Sequence, residues 1–464
     1  MQSRRDQVQA QSYVLGRLTC ALVSAEPEAL ENPHRRPIVG MLSGLLIAVL
    51  VAAGFGVYGF LVPGGATAWR APGALIVEKK TGSRYLLVGG RLRPVFNYAS
   101  ARLLLDGEPT VVSVSPKSLR GVAHGQPVGI VDAPDALPAA DAAAGQVWTV
   151  CARAARDAAG TLMTATTVSV TGERSGALPA DQLVGVDEAV VASAEGESYL
   201  VWQGRRFRLT NAWLPRVLGY DRAPAVVEAA WLETLPAGPD IDPADVPGRG
   251  EAGMMVDGRQ ARVGEMFVAR TDGGPERHYL LDRDGLSPLT SFEYAIVVGD
   301  PRTSAVYGGR PIMPTELSPA ALARLPVSGR RVLPAVMPER PPRLAAAPPD
   351  GAWCVRWTAA DGRIELAVAS SSGGPGDGDG DGGDAVAPQS AVAPGIGGLV
   401  RSGGAGAPGS NLYLVTDAAV KYPLSGAAAA AALGYPPESA GQVPRPLLEL
   451  LPTGPLLDQD LARR

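Results

Sequence analysis

The stretch from Ile38 to Val62 contains no charged residue, and about 20 apolar residues suffice to carry a helix across a bilayer. Lipid supplies no hydrogen-bond partners to the backbone, so a lone span of this kind must be helical. The span separates a short leading tail from the bulk of the chain. Gly44, Gly54, Gly56 and Gly59 lie within it, and small residues let a neighbouring transmembrane helix approach closely.

Flanking charge leaves the orientation open. Arg35 and Arg36 precede the span and favour a cytoplasmic N-terminus, but Arg70, Lys79 and Lys80 follow it closely. A cleaved signal peptide is the competing reading, with Ala66-Thr67-Ala68 as its site. Signal peptides have a short charged start and an apolar core of about 7–15 residues. The leader here is long and the apolar run extended, which favours a retained anchor. Tyr58, Phe60 and Trp69 are expected at the outer interface, where amphipathic rings are stable.

The formal net charge is -4, so no basic field draws nucleic acid. Abundant Gly and Pro imply many turns and short elements. Of the three cysteines, Cys20 precedes the span while Cys151 and Cys354 follow it. In an oxidising exterior the outer pair would form a disulfide. Such a bond closes a loop of about 200 residues, and chain entropy sets an upper figure of about 5 kcal/mol. Two separate buried thiols are the alternative, since cysteine also packs as a small apolar residue.

One pattern recurs after the span. Tyr85-Leu86-Leu87, Tyr199-Leu200-Val201, Tyr279-Leu280-Leu281 and Tyr413-Leu414-Val415 each lead through a turn to a second apolar strand. Helical spacing follows, for example through Ala99, Leu103 and Leu104, and twice a Leu-Gly-Tyr triplet appears, at Leu218 to Tyr220 and Leu433 to Tyr435. A Leu/Pro element closes copies at Leu232 to Pro236 and Leu450 to Pro452. Each copy reads as strand, turn, strand and short helix. Such units need neighbours to bury their faces, although the irregular spacing excludes a regular solenoid. Ser370 to Asp384 and Pro239 to Gly253 are too rich in Gly, Pro and Asp to bury a face and read as linkers.

Catalytic motifs are thin. Asp377, Asp379, Asp381 and Gly382 imitate the start of a calcium loop, but Pro388 occupies the closing Glu position. Gly248, Gly250 and Gly253, like Gly404, Gly406 and Gly409, fit Gly-x-Gly-x-x-Gly without a strand before and a helix after. No Gly-x-x-x-x-Gly-Lys-Ser/Thr segment occurs. His124 and His278 lack ligand-like spacing and read as loop or surface residues, and Gly285-Leu286-Ser287-Pro288 lacks the last glycine of a nucleophile elbow. The site expectation is therefore no catalytic, cofactor-binding or metal-ligating residue. In the tail, Val8, Leu15, Leu18 and Leu22 form an apolar stripe at helical spacing. A lone helix of this length is marginal in water, so the stripe meets a membrane surface, a protein partner or the base of its own span.

Three segments together resemble EccB, the single-span membrane subunit of the type VII (ESX) secretion system of actinobacteria. They are "RDQVQAQSYVLGRLTCALV" from Arg5, the anchor "RRPIVGMLSGLLIAVLVAAGFGVYGFLVPGG", and "GALIVEKKTGSRYLLVGGRLRPVFNYASARLLL" from Gly73. "QPVGIVDAPDALP" from Gln126, "VGEMFVAR" from Val263 and the Cys151/Cys354 pair extend the resemblance over nearly the whole chain. It implies an α+β protein with one transmembrane helix and an elongated outer domain of four strand-rich repeats around a disulfide-linked β-core. The expected division is tail 1–37, span 38–62, repeat one 71–130, core 131–190, repeat two 191–240, repeat three 255–330, core 340–368, linker 369–404 and repeat four 405–458. The implied partners are EccC-, EccD- and EccE-like subunits, other copies through the outer domain, and membrane lipid. Arg35, Arg36, Tyr58 and Trp69 would mark the membrane junction. Some family members are described as ATPases, which makes ATP a cofactor by analogy alone. A structural subunit of an export complex is the leading expectation, against an ATPase subunit of the same system or a cell-wall-binding repeat protein.

Overall fold

The computed structural model describes residues 4–24, 35–61, 67–143, 145–156, 162–172, 182–243, 245–270, 274–346, 351–369, 390–403 and 411–464. The Asp/Gly stretch and the Gly404 to Gly409 motif lie outside them. Two helices come first: a tail helix, Arg4–Ser24, and a second, Arg35–Leu61. Within the latter, Ile38–Tyr58 has a mean hydropathy of 2.5 and none of it is buried. It is the one helix among the described residues that is long and apolar enough to cross a membrane. Thr19 is satisfied within the tail helix, its Oγ1 donating to the Leu15 carbonyl at 2.6 Å.

Two compact units divide the chain, Met1–Ser83 with Val111–Ala123, and Arg84–Thr110 with His124–Arg464. Beyond its two long helices, the first unit holds the 3-10 turn Ala68–Arg70 before strand Ala74–Glu78, and a second 3-10 turn, Pro116–Leu119. Strand Thr110–Val114 lies beside that strand. The Lys79 amide donates to the Val114 carbonyl at 2.9 Å.

In the second unit the repeats share one topology. Repeat two is a meander of Glu188–Ala194, Glu197–Trp202 and Arg205–Leu209, with Ala225–Val226 parallel to its first strand. Repeat three uses Met266–Ala269, Arg277–Leu281 and Leu286–Leu289, with Thr315–Glu316 parallel to the first. Repeat four uses Gly398–Ser402, Leu412–Val415 and Lys421–Pro423, with Gly441–Val443 in the same parallel place. The hairpin Arg84–Val88 and Arg91–Pro94 and the helix Tyr98–Leu105 give repeat one the same central order. The recurring turn glycine has a conformational cause. Gln203 and Gly204 both have positive φ, 46° and 68°, as a two-residue hairpin matched to strand twist requires.

The Leu/Pro element also has a structural cause. After its last helix each of repeats two, three and four sends the chain back alongside the third strand, seen in the bridges Arg206↔Ala237 and Leu209↔Ile241, Leu286↔Val327, and Lys421↔Thr453 and Leu424↔Leu457. The proline carbonyl accepts from the third strand in each, from Arg206 at 3.0 Å, Leu286 at 2.8 Å and Lys421 at 2.9 Å. A proline tolerates this place because it lacks only a donor, not an acceptor. Leu92↔His124 and Val95↔Val128 are the counterparts in repeat one.

The centre of this unit is a five-stranded sheet ordered Ile364–Ala369, Ala352–Thr358, Gln146–Arg156, Leu162–Gly172, Ser390–Val392. Cys354 and Cys151 face each other in register across the second and third strands of that order and are joined by a disulfide, with Cα atoms 4.0 Å apart. One hydrophobic cluster takes Trp148, Val150, Val355 and Trp357 from this sheet, Trp231 and Leu235 from repeat two, and Val400, Leu447 and Leu451 from repeat four. A second cluster joins repeat three to repeat two through Phe207, Leu218, Met266, Phe292 and Ile296. A third joins the repeat-one helix to repeat four through Ala99, Leu103, Leu414, Leu433 and Tyr435. The core thus touches two repeats, and each of those carries another.

Repeats two and four open earlier than 191 and 405, with Glu188–Ala194 and Gly398–Ser402, because the strand before the Tyr-Leu element pairs along it. Residues 369–404, read as linker, contain Ser390–Val392 and Gly398–Ser402; the apolar Val392, Leu399 and Val400 are buried there. The stretch Pro239 to Gly253, also read as linker, is pinned by Ile241 and Val246 in the core. Arg302 Nη2 donates to the Pro243 carbonyl at 2.8 Å. Two apolar side chains in a polar segment were enough to pack it.

Candidate functional site

The sequence-predicted positions fall in three places. Val8, Leu15, Leu18 and Leu22 are all exposed along the tail helix, Leu22 at 80%. Successive members sit within one arc of a 3.6-residue helix, so the stripe forms a continuous outward face. Cys20, on the same helix, is buried. Arg35 and Arg36 open the second helix, and Tyr58 is exposed near its far end.

Trp69 departs from expectation. Its side chain is only 2% exposed, the 3-10 turn that carries it packs on strand Ala74–Glu78, and the Arg70 guanidinium lies over its ring at 4.7 Å. Trp69 is therefore a packing residue of the first unit rather than a ring offered to an interface. Burial of a large aromatic outweighs interfacial placement once a sheet stands next to it.

The Cys151–Cys354 bond lies among Ala352, Ala367 and Leu183. Beside it, Arg356 of the same strand pairs with Glu365 across the sheet at 3.2 Å, and the Trp231 indole N–H donates to the Val150 carbonyl at 3.1 Å. The Trp231 bond ties repeat two to the core by hydrogen bonding as well as by area.

Of the two outer histidines, His124 is the exposed loop residue expected, while His278 is half-buried in a strand. His278 belongs to strand Arg277–Leu281, and its ring lies 3.9 Å from that of Tyr294. Burial pushes its pKa below the ordinary value, with Glu276 opposing and Arg270 reinforcing that effect. His124 lies beside Leu92 and packs edge-on against Tyr85, with centroids 5.9 Å apart. Gly248 to Gly253 lead into strand Ala252–Val256, not into a helix N-terminus that could receive phosphate. Among the described residues no group of three or more His, Cys, Asp or Glu is placed to hold a metal.

Lys421 is the buried cation of repeat four. Its ammonium donates to the carbonyls of Leu448 and Leu451 at 2.8 and 2.5 Å, closing the end of the helix Arg445–Glu449. Burial lowers its pKa, and Glu449 works against that. Sequence reading passed over this residue. Its rarity in an arginine-rich chain was the available signal, since a compact ammonium fits a helix end where a guanidinium fork does not.

A family model described as "Type VII secretion system ESX-1, transport TM domain B" matches residues 1–464. The chain belongs to the EccB family. Among EccB relatives, the ESX-3 secretion system ATPase EccB3 of Mycolicibacterium smegmatis is 28% identical, over 98% of this chain and 89% of that protein. The ESX-1 secretion system ATPase EccB1 of Mycobacterium tuberculosis is 27% identical over 77% of this chain and 72% of its own length. In solved structures, a chain of an intact ESX-5 inner membrane complex shares the fold with a TM-score of 0.66 at 24% identity, covering 100% of this chain and 95% of that one. The EccB3 dimer from the ESX-3 core complex gives 0.65 at 24% identity, covering 84% of this chain and 100% of that one. The mixed α+β architecture with one apolar helix, several sheets and one disulfide is thus the EccB architecture.

Proposed function

We propose that this EccB-family chain is a structural core subunit of a type VII secretion membrane complex, anchored by the helix Arg35–Leu61 and assembling the complex outside the membrane through its repeats. The family match along residues 1–464 carries this reading, and the exposed apolar helix supports the anchor. In this reading the tail is cytoplasmic and residues beyond the span are periplasmic. Arg35 and Arg36 support that orientation through the positive-inside rule, and a disulfide is at home in an oxidising compartment.

EccC-, EccD- and EccE-like subunits are the proposed partners, with the stripe Val8, Leu15, Leu18 and Leu22 as the tail's docking face. A second copy is a further partner, joined through the repeats. EccB1 and EccB3 relatives are named as ATPases; among the described residues of this chain none is assigned that chemistry.

Deleting residues 2–34 tests the tail. The variant should reach the membrane with its disulfide formed, yet fail to co-purify with the other subunits. Normal assembly and secretion without those residues would remove the tail from the mechanism.

A further inference from the structure

The repeat-one helix Tyr98–Leu105 and repeat four enclose a cleft of about 420 Å³. Tyr98 and Arg102 line it from successive turns of that helix, Leu137 and Pro138 from the chain leading to the core, and Leu433 and Gly434 from the end of the helix Ala427–Ala432. Its size falls within the range of small-ligand sites.

Arg102 is the anomaly. Its Nε is buried without a hydrogen-bond partner, and among the described residues nothing accepts a hydrogen bond from or pairs with its guanidinium. The other polar groups of the cleft are mostly committed. Asp135 is ion-paired with Arg84 and accepts from the Tyr98 amide at 2.9 Å. The Tyr435 hydroxyl donates to the Pro138 carbonyl at 2.7 Å. Glu108 is an exposed carboxylate of the lining.

The backbone is shaped around Arg102 as well. Gly434 has φ +84°, and a Cβ there would overlap the guanidinium. A buried donor without an acceptor is costly, and a guanidinium presents a planar fork suited to a carboxylate.

We infer that this cleft is a receptor for a carboxylate on a peptide segment, with Arg102 as the anchoring cation and Tyr98, Leu137, Pro138 and Leu433 enclosing the stem that bears it. A phosphate is disfavoured, because the lining also carries the Glu108 carboxylate and supplies one uncommitted cation, too little for a doubly charged ligand. The inference is independent of which subunits the chain assembles with.

Equilibrium dialysis of the full chain in detergent, with N-acetyl-glutamyl-alanine amide as labelled probe, tests this. Millimolar saturable binding is expected, and the isosteric glutaminyl probe and inorganic phosphate should both bind more weakly. Arg102→Gln should weaken the glutamyl probe by about tenfold or more, the scale of a lost charge-assisted hydrogen bond. Arg102→Lys keeps the charge without the fork and should fall between, which retains a reading if the Gln variant fails to fold. Absence of saturable binding, equal binding of the glutaminyl probe, tighter binding of phosphate, or an Arg102→Gln protein that binds like the parent would each overturn the assignment.

Discussion

His278 ties local packing to pH. Its ring sits against Tyr294, and burial holds its folded pKa below the ordinary 6.5. Above about pH 6.5 the imidazole is neutral in both folded and unfolded chains, so its contribution is constant. As pH falls below that value the unfolded chain takes up a proton that the folded site resists, and stability drops. Thermal unfolding followed between about pH 8 and pH 5 should show this decline, and His278→Gln should make it shallower. An unchanged slope in the variant would contradict the assignment. Some residue-scale detail was legible beforehand: Tyr-Leu-Leu/Val elements and turn glycines follow from period-2 burial and hairpin twist. The carbonyl contacts of Lys421 and the cleft around Arg102 were not, because sequence-distant segments supply both. Gly238 and Gly454 show the same limit. An added Cβ would overlap the Phe207 ring at one and the Tyr422 ring at the other, a repeat equivalence hidden until strands are paired.

At the scale of elements, the disulfide has the clearest energetic role. It joins adjacent strands in register while closing a sequence separation of 203 residues, so the bond chiefly restricts the unfolded chain. Cys151→Ser combined with Cys354→Ser should lower stability by about 2–5 kcal/mol, read by urea unfolding of the detergent-solubilised protein. Reductant should destabilise the parent comparably and leave the double variant unaffected; equal stability of parent and variant would refute a stapling role. The pairing was readable because these two cysteines follow the span, where an oxidising exterior favours a bond. The strands Ser390–Val392 and Gly398–Ser402 were not, since two glycine-rich stretches flank so few apolar residues that composition masks them. Likewise the fourth strand of repeats two and three is two residues long, too short for any periodicity to register.

On the scale of the whole molecule, the uncharged span and the four Tyr-Leu elements already implied an anchored, modular protein, and the full-length family match places it among EccB proteins. What the sequence could not convey is the order of contact in the second unit. Repeats two and four flank the core, while repeat three joins repeat two and the repeat-one helix joins repeat four. That order comes from long-range burial, for which a single chain carries no local signal. It also makes the core and disulfide the common support of the repeats proposed to assemble the complex. The most direct test of that proposal is a gentle-detergent pull-down of the tagged full-length chain from its native membrane, followed by mass spectrometry. Co-recovery of EccC-, EccD- and EccE-like subunits in stable proportion is the predicted result. Recovery of the chain alone, with those subunits intact together elsewhere, would contradict it.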